Sequence, residues 1–81
     1  MSTTSERLQR IVLETLNDPS IEFSDELSMA NCEAWDSVAT VQIVLEVEQE
    51  FAVRFTTDEV AGVRGVADLL HLLGRYGAVS K

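Results

Sequence analysis

The chain has 81 residues, only 6% of them aromatic, and its 14 acidic and 6 basic residues give a formal charge of −8. A domain of this size buries a thin core, so the composition argues against a preorganised catalytic cleft and favours a carrier, adaptor or interaction module. Ten acidic residues lie between Arg10 and Arg54 with no Lys or Arg among them, a field that repels nucleic acids and anionic membranes, attracts basic partners and also favours solubility.

The first predicted helix begins with Thr3 and Glu6, which have the spacing of a capping box. Its apolar residues recur with the helical period, at Leu8, Ile11, Val12 and Leu16. The run Asn17-Asp18-Pro19 is expected to end this helix.

A long loop is predicted over residues 17–35. Loops of this length are unusual in a small domain and are often functional. Four apolar residues are expected to pin it to the core: Ile21, Phe23, Leu27 and Met29.

The second helix is predicted to start at Asp36 or Ser37 and to run to about Phe51, with Asp36 as a good N-cap. One apolar face is expected to follow Val41, Val44, Val47 or Glu48, and Phe51, with Val38 and Leu45 beside it. The solvent side is then left to Gln42, Glu46, Glu48, Gln49 and Glu50.

After Val53 and Phe55, the run Thr56-Thr57-Asp58-Glu59 predicts a second capping box and a short helix, since Gly62 and Gly65 follow closely. The last helix is predicted from Val66, Leu69, Leu70 and Leu73, ending at Gly74 and Gly77 before a frayed tail. The fold class is therefore all-α: a small antiparallel bundle of four helices without strands, with a short third helix.

The chain is predicted to be one domain over residues 1–81, with a structured core over about 4–75. Cys32 is the only cysteine and cannot form an internal disulfide, and the N-terminus lacks a signal sequence. No apolar run approaches transmembrane length. These features favour a cytoplasmic protein, and we also expect a monomer with no membrane partner.

The residues for catalysis or metal binding are scarce. His71 is the only histidine, so no site with several His or Cys ligands can form, and the acids lack the pattern of a calcium loop. The chain has no glycine-rich phosphate cradle and no basic patch with interleaved aromatics. We therefore expect neither an enzyme, nor a metal site, nor a nucleic-acid partner.

Ser37 is the one residue that invites a chemical role. Its position behind Asp36 fits an ordinary capping residue. A phosphate on its Oγ would lie at the positive end of the helix near free backbone N–H groups, although Asp36 would repel it. The residues alone leave both interpretations open.

The order of these features resembles the acyl carrier protein family with its Asp-Ser-Leu motif. Asp36-Ser37-Val38 is followed by Val41, Val44 and Phe51 on an acidic helix, and the similarity continues through "EFAVRFTTDEV" and "VRGVADLL". The resemblance covers nearly the whole chain.

The resemblance implies that Ser37 carries 4′-phosphopantetheine, donated from coenzyme A by a Mg²⁺-dependent phosphopantetheinyl transferase. Asp36 would then serve both as the helix cap and in recognition by the transferase, with Val38 near the arm. Acyl or aminoacyl groups would travel as thioesters on the arm, loaded by a ligase or transferase and presented to downstream biosynthetic enzymes.

By the same resemblance, the second helix docks basic patches of partner enzymes through Leu45, Glu46, Glu48 and Glu50. Val41, Val44 and Val47 would line the bundle interior, where some carriers shelter an acyl chain.

The chain also departs from the family pattern. Val38 replaces the usual Leu, and Trp35 stands where many fatty-acid carriers have a small residue. Ala39, Gln42 and Gln49 occupy positions that are often acidic. These differences favour a discrete, specialised carrier, while packing of the loop onto the bundle is the simpler explanation of Trp35. The alternative function is an unmodified acidic adaptor that binds a basic partner through its second helix.

Overall fold

The computed structural model describes residues 4–18 and 20–77. These residues form four helices: α1 (Thr4–Leu16), α2 (Ser37–Phe51), α3 (Thr57–Ala61) and α4 (Val66–Arg75). In the described part of the chain there is no strand, only an isolated antiparallel bridge between Ser28 and Gly65. The prediction of a small all-α helical bundle is confirmed. Thr3, expected in the first capping box, and the tail over 78–81 lie outside the described residues.

Helix α1 buries the apolar face that its periodicity predicts: Leu8, Ile11, Val12 and Leu16. It ends where expected, because Asn17 adopts a left-handed conformation (φ 50°) while its N–H still donates to the carbonyl of Leu13. Asparagine tolerates this conformation better than most residues, so it is a suitable helix terminator.

The loop between α1 and α2 is pinned to the core, as predicted. Leu27, Cys32 and Trp35 are buried, and Ile21, Phe23 and Met29 are half-buried against the same cluster. Two backbone hydrogen bonds tie the loop to the start of α4: Met29 N–H donates to Arg64 O (2.8 Å), and Val66 N–H donates to Leu27 O (2.9 Å). The loop is therefore part of the fold.

The predicted apolar face of α2 is wrong in part. The buried residues of this helix are Ala39, Thr40, Ile43, Val44 and Val47. Val41 is 51% exposed, whereas Ile43, which was not assigned to the face, is fully buried. Apolar residues surround nearly the whole helix, so periodicity alone does not select one side.

The two short elements at the C-terminal end also follow their local sequence. Thr56 and Glu59 form the predicted capping box at α3, each side chain accepting from the other's backbone N–H. Helix α4 buries Val66, Leu69 and Leu73 as predicted, and it buries Leu72, whereas the predicted Leu70 is only half-buried. The helix continues through Gly74 to Arg75, one residue further than expected. The Tyr76 hydroxyl then donates to the Glu59 carboxylate, which joins the end of α4 to α3.

Candidate functional site

Ser37 is the first residue of α2, and Asp36 caps that helix. The Asp36 carboxylate accepts from the Ala39 N–H (2.8 Å), and the Asp36 carbonyl accepts from the Thr40 N–H (2.9 Å). Ser37 is exposed, and its hydroxyl makes no hydrogen bond within residues 4–18 and 20–77. Because Asp36 makes the cap, the Ser37 hydroxyl is left available for reaction.

Trp35 lies directly beneath this turn. Its side chain is 2% exposed, and its indole N–H donates to the Thr40 hydroxyl oxygen (2.8 Å). The Thr40 hydroxyl in turn donates to the Asp36 carbonyl (2.9 Å). The expected packing of Trp35 between loop and bundle is confirmed. Sequence reasoning missed the role of Thr40, because nothing in the sequence around a helical threonine shows that its hydroxyl will bond Trp35, which precedes the cap residue Asp36.

A surface groove begins at Ser37 and runs between α2 and α3. Its first part, about 260 Å³, is lined by Met29, Ser37, Thr40, Val41, Val60, Ala61, Val63 and Arg64. Its second part, about 300 Å³, is lined by Val41, Val44, Leu45, Glu48, Arg54, Phe55, Thr57 and Val60. The two parts share Val41 and Val60, so mainly apolar lining extends from Ser37 along α2.

A family model described as a phosphopantetheine attachment site matches residues 6–73. The chain belongs to the acyl carrier protein family. Its fold is similar to the solution structure of the holo acyl carrier protein from Geobacter metallireducens, at 27% identity and a TM-score of 0.77, covering 93% of this chain and 86% of that one. A protein assigned as an acyl carrier protein from Mycobacterium tuberculosis has the same fold, at 15% identity and a TM-score of 0.77, covering 89% and 96%.

Membership in the family defines the general role of this carrier. Acyl carrier proteins are not catalysts; they hold a covalently attached 4′-phosphopantetheine. A carrier of this kind interacts with a phosphopantetheinyl transferase and with biosynthetic enzymes. The exposed, unbonded hydroxyl of Ser37 fits such an attachment, since it can be reached without opening the fold.

The expected acyl-binding valines of the carrier lie in different places. Val41 and Val44 line the groove, but Val44 is only 3% exposed and belongs to the core as well. Val47 is fully buried and does not line the groove. The sequence prediction that Val41 faces the bundle interior is wrong, because half of this side chain is exposed at the groove.

The acids of α2 are also not equivalent, and the expectation that all three are left to solvent is wrong for two of them. Glu48 is half-buried, and its carboxylate accepts from the Phe55 N–H (2.8 Å). Glu50 is half-buried and pairs with the guanidinium of Arg7 (2.8 Å) and, more distantly, that of Arg10 (3.4 Å). Of these three residues, only Glu46 is exposed.

The outward face of α2 is mostly uncharged and combines apolar with amide side chains. Val38 is 64% exposed and Leu45 52%, and the exposed Gln42 and Gln49 lie on the same side of the helix. A second groove, about 460 Å³, separates this face from α1 and is lined by Ile11, Glu14, Thr15, Gln42, Leu45, Glu46 and Gln49. Charge on this face therefore comes mainly from Glu46, with Glu14 across the groove.

Neither the cysteine nor the histidine lines the groove at Ser37. Cys32 is a free, buried thiol, and His71 is exposed on α4. Residues 4–18 and 20–77 hold no group of three His, Cys, Asp or Glu side chains placed to bind a metal ion. None of the described helices is long and apolar enough to cross a membrane.

Proposed function

We propose that this protein carries acyl or aminoacyl intermediates as thioesters on a 4′-phosphopantetheine arm attached to Ser37. The observation that supports this most strongly is the exposed Ser37 hydroxyl at the start of α2, with the capping role taken by Asp36. Nothing in the fold then needs to be broken for the hydroxyl to react.

Attachment joins the Ser37 Oγ to the phosphorus that bears the pantetheine portion of coenzyme A. The pyrophosphate bond of coenzyme A breaks, adenosine 3′,5′-bisphosphate leaves with Mg²⁺ support, and the hydroxyl proton passes to a base of the transferase. The product phosphodiester is an anion at the N-terminus of α2, where the helix dipole and free N–H groups favour negative charge.

Intact mass spectrometry tests the attachment site. The protein is incubated with coenzyme A, Mg²⁺ and a broad-specificity phosphopantetheinyl transferase, and one phosphopantetheine increment is expected. Ser37→Ala should abolish the increment while the variant stays folded by circular dichroism, because Asp36 remains to cap α2. An increment that persists in Ser37→Ala would place the arm elsewhere. No increment with several transferases would favour the unmodified adaptor instead.

The arm also gives a second readout in the folded protein. Cys32 is buried, so it should react slowly with a thiol reagent as long as the fold is intact. The modified protein should therefore show one rapidly reacting thiol, that of the arm, and the unmodified protein none.

For the cargo, we propose the groove between α2 and α3 as the resting place, with Val41 and Val44 as contacts. This replaces the interior pocket, since Val47 is committed to the core. An apolar cargo would remove part of the exposed surface of Val41 from water, which is favourable. The departures of Trp35 and Val38 from the family pattern support a discrete, specialised carrier.

Partner docking is proposed on the outward face of α2. Leu45 supplies an exposed apolar contact and Glu46 the exposed carboxylate, so a partner surface with an apolar centre and a flanking basic residue fits best. Glu48 and Glu50 add to the negative field, but their carboxylates are held by the carrier's own fold.

A further inference from the structure

We infer that Trp35 and Thr40 are positioning residues for the modification of Ser37, an inference that rests on Ser37 being the attachment site. The indole N–H of Trp35 bonds the Thr40 hydroxyl, which bonds the carbonyl of Asp36, the residue immediately before Ser37. This chain of bonds runs from the buried end of the loop to the reactive turn.

The bonds restrain the turn on both sides of Ser37. Before it, Trp35 N–H donates to Cys32 O (3.1 Å), which fixes the end of the loop. After it, the Asp36 carbonyl accepts from both the backbone N–H and the hydroxyl of Thr40. Ser37 is thus an exposed residue whose preceding neighbour, Asp36, is tied to the buried side chain of Thr40.

Burial makes these bonds effective. Trp35 is 2% and Thr40 6% exposed, so water cannot readily replace a lost partner. If the indole donor is removed, the Thr40 hydroxyl keeps its bond to Asp36 but loses the group that orients it. The first turn of α2 would then sample more conformations, and the Ser37 Oγ would be less often in position to attack.

A positioning role makes a specific kinetic prediction. If the Ser37 Oγ is less often in position to attack while the surface that binds the transferase is unchanged, kcat for phosphopantetheine transfer falls and KM stays nearly the same. Trp35→Phe, which keeps a buried ring, and Thr40→Val, which keeps the shape, should each lower kcat by about threefold to tenfold, the range expected for one buried hydrogen bond. Thr40→Ser retains the hydroxyl and should restore most of the rate.

The experiment measures kcat and KM with coenzyme A, Mg²⁺ and the transferase, at a temperature where circular dichroism shows every variant folded. Val12→Ala controls for general destabilisation, because Val12 is a buried residue of α1 and takes no part in the hydrogen bonds that join Trp35, Thr40 and Asp36. Tryptophan emission of Thr40→Val, from the single tryptophan, shows that the indole stays buried.

The double variant Trp35→Phe/Thr40→Val should be no slower than the slower single variant, because both changes break the same chain of bonds. Wild-type kcat in both single variants, additive losses in the double variant, or an equal loss in Val12→Ala would overturn the inference. If Thr40→Val does not fold, the comparison of Trp35→Phe with Val12→Ala decides. Failure of the proposed function itself looks different, because the wild-type protein would then not be modified at all.

Discussion

Gly65 is a position where adding a single methyl group should destabilise the fold. A Cβ at this position would lie 2.6 Å from both the Leu27 carbonyl oxygen and the Ser28 Cβ, so backbone would have to move. The close contact between the backbones of Gly65 and the loop allows the Ser28–Gly65 bridge and the hydrogen bond from Val66 N–H to Leu27 O. Gly65→Ala should therefore lower the free energy of unfolding by about 1–3 kcal/mol, as overpacking does.

Gly62 provides the matched control. A Cβ there would meet only ordinary contacts, at 3.6 and 3.8 Å, and its backbone is right-handed helical (φ −87°). Gly62→Ala should raise the free energy of unfolding by about 0.4–1 kcal/mol, because alanine has less conformational freedom to lose. Urea unfolding followed by circular dichroism measures both. Equal effects of the same sign would show that the close approach at Gly65 does not matter.

Individual residues also show where prediction from sequence fails. Asp36 and the pair Thr56–Glu59 were predictable as caps, because capping depends on residues within one turn. Val41 was wrongly assigned to the buried face and Ile43 was left out of it, because both are apolar and their burial depends on where α1 and the loop pack. The bond from Trp35 to Thr40 depends on how the loop meets α2, which no local pattern encodes.

At the scale of elements, Glu59 of α3 is joined to the end of α4 by two polar contacts, the hydrogen bond from the Tyr76 hydroxyl and an ion pair with the Arg75 guanidinium (3.6 Å). The Thr56 N–H and the Tyr76 hydroxyl both donate to Glu59 and lower its pKa, and the bond to Glu59 raises the pKa of Tyr76. A lowered carboxyl pKa stabilises the fold above its ordinary value of 4.5, and this contribution is lost as the pH falls below it. A raised tyrosine pKa stabilises the fold below its ordinary value of 10.0, and this is lost as the pH rises above it.

Tyr76→Phe should therefore lower the Tm between these two pKa values, and the difference from wild type should shrink toward both ends. Thermal unfolding as a function of pH measures this. The variant keeps the ring beside Phe55 and leaves the capping box intact, so it isolates the bond to Glu59. A Tm difference that is constant across the pH range would show that the loss does not come from the titrating bond between Tyr76 and Glu59.

The helices themselves were predictable to within one or two residues, because each begins or ends at a local feature such as Asp36, Asn17 or Thr56. Their faces were harder to predict. Helix α4 shows a clear apolar stripe, but α2 is apolar on several sides and its buried face is decided by its neighbours. For the same reason the sequence did not predict the groove beside Ser37, because Val41, which lines it, was assigned to the interior.

Across the whole molecule, some of the acidic side chains bind groups of the protein itself and are not free to bind a partner. Glu50 connects α2 to α1 through Arg7, whose guanidinium also lies over the Phe51 ring (4.4 Å) and donates to the Glu50 carbonyl (2.8 Å). Counting the acids along α2 therefore overestimates the charge that a partner meets. The sequence shows how many carboxylates are present, but only the fold shows which of them are free.

This difference leads to a prediction for docking. Glu46→Lys should raise the KM for phosphopantetheine transfer with little change in kcat, because an exposed docking charge contributes mainly to encounter and binding. Added salt should weaken the wild-type interaction more than that of the variant. Glu26→Lys, on the exposed loop, makes the same change in net charge and should leave KM nearly unchanged.

Glu50→Gln separates docking from folding. Since Glu50 is paired with Arg7, its neutralisation should lower the Tm, while KM measured on the folded variant changes less than in Glu46→Lys. If Glu46→Lys and Glu26→Lys raise KM equally, the partner responds to net charge alone and Glu46 has no special place in docking. If only Glu46→Lys raises KM, the partner contacts the outward face of α2, where the free carboxylate of Glu46 lies next to the exposed Leu45.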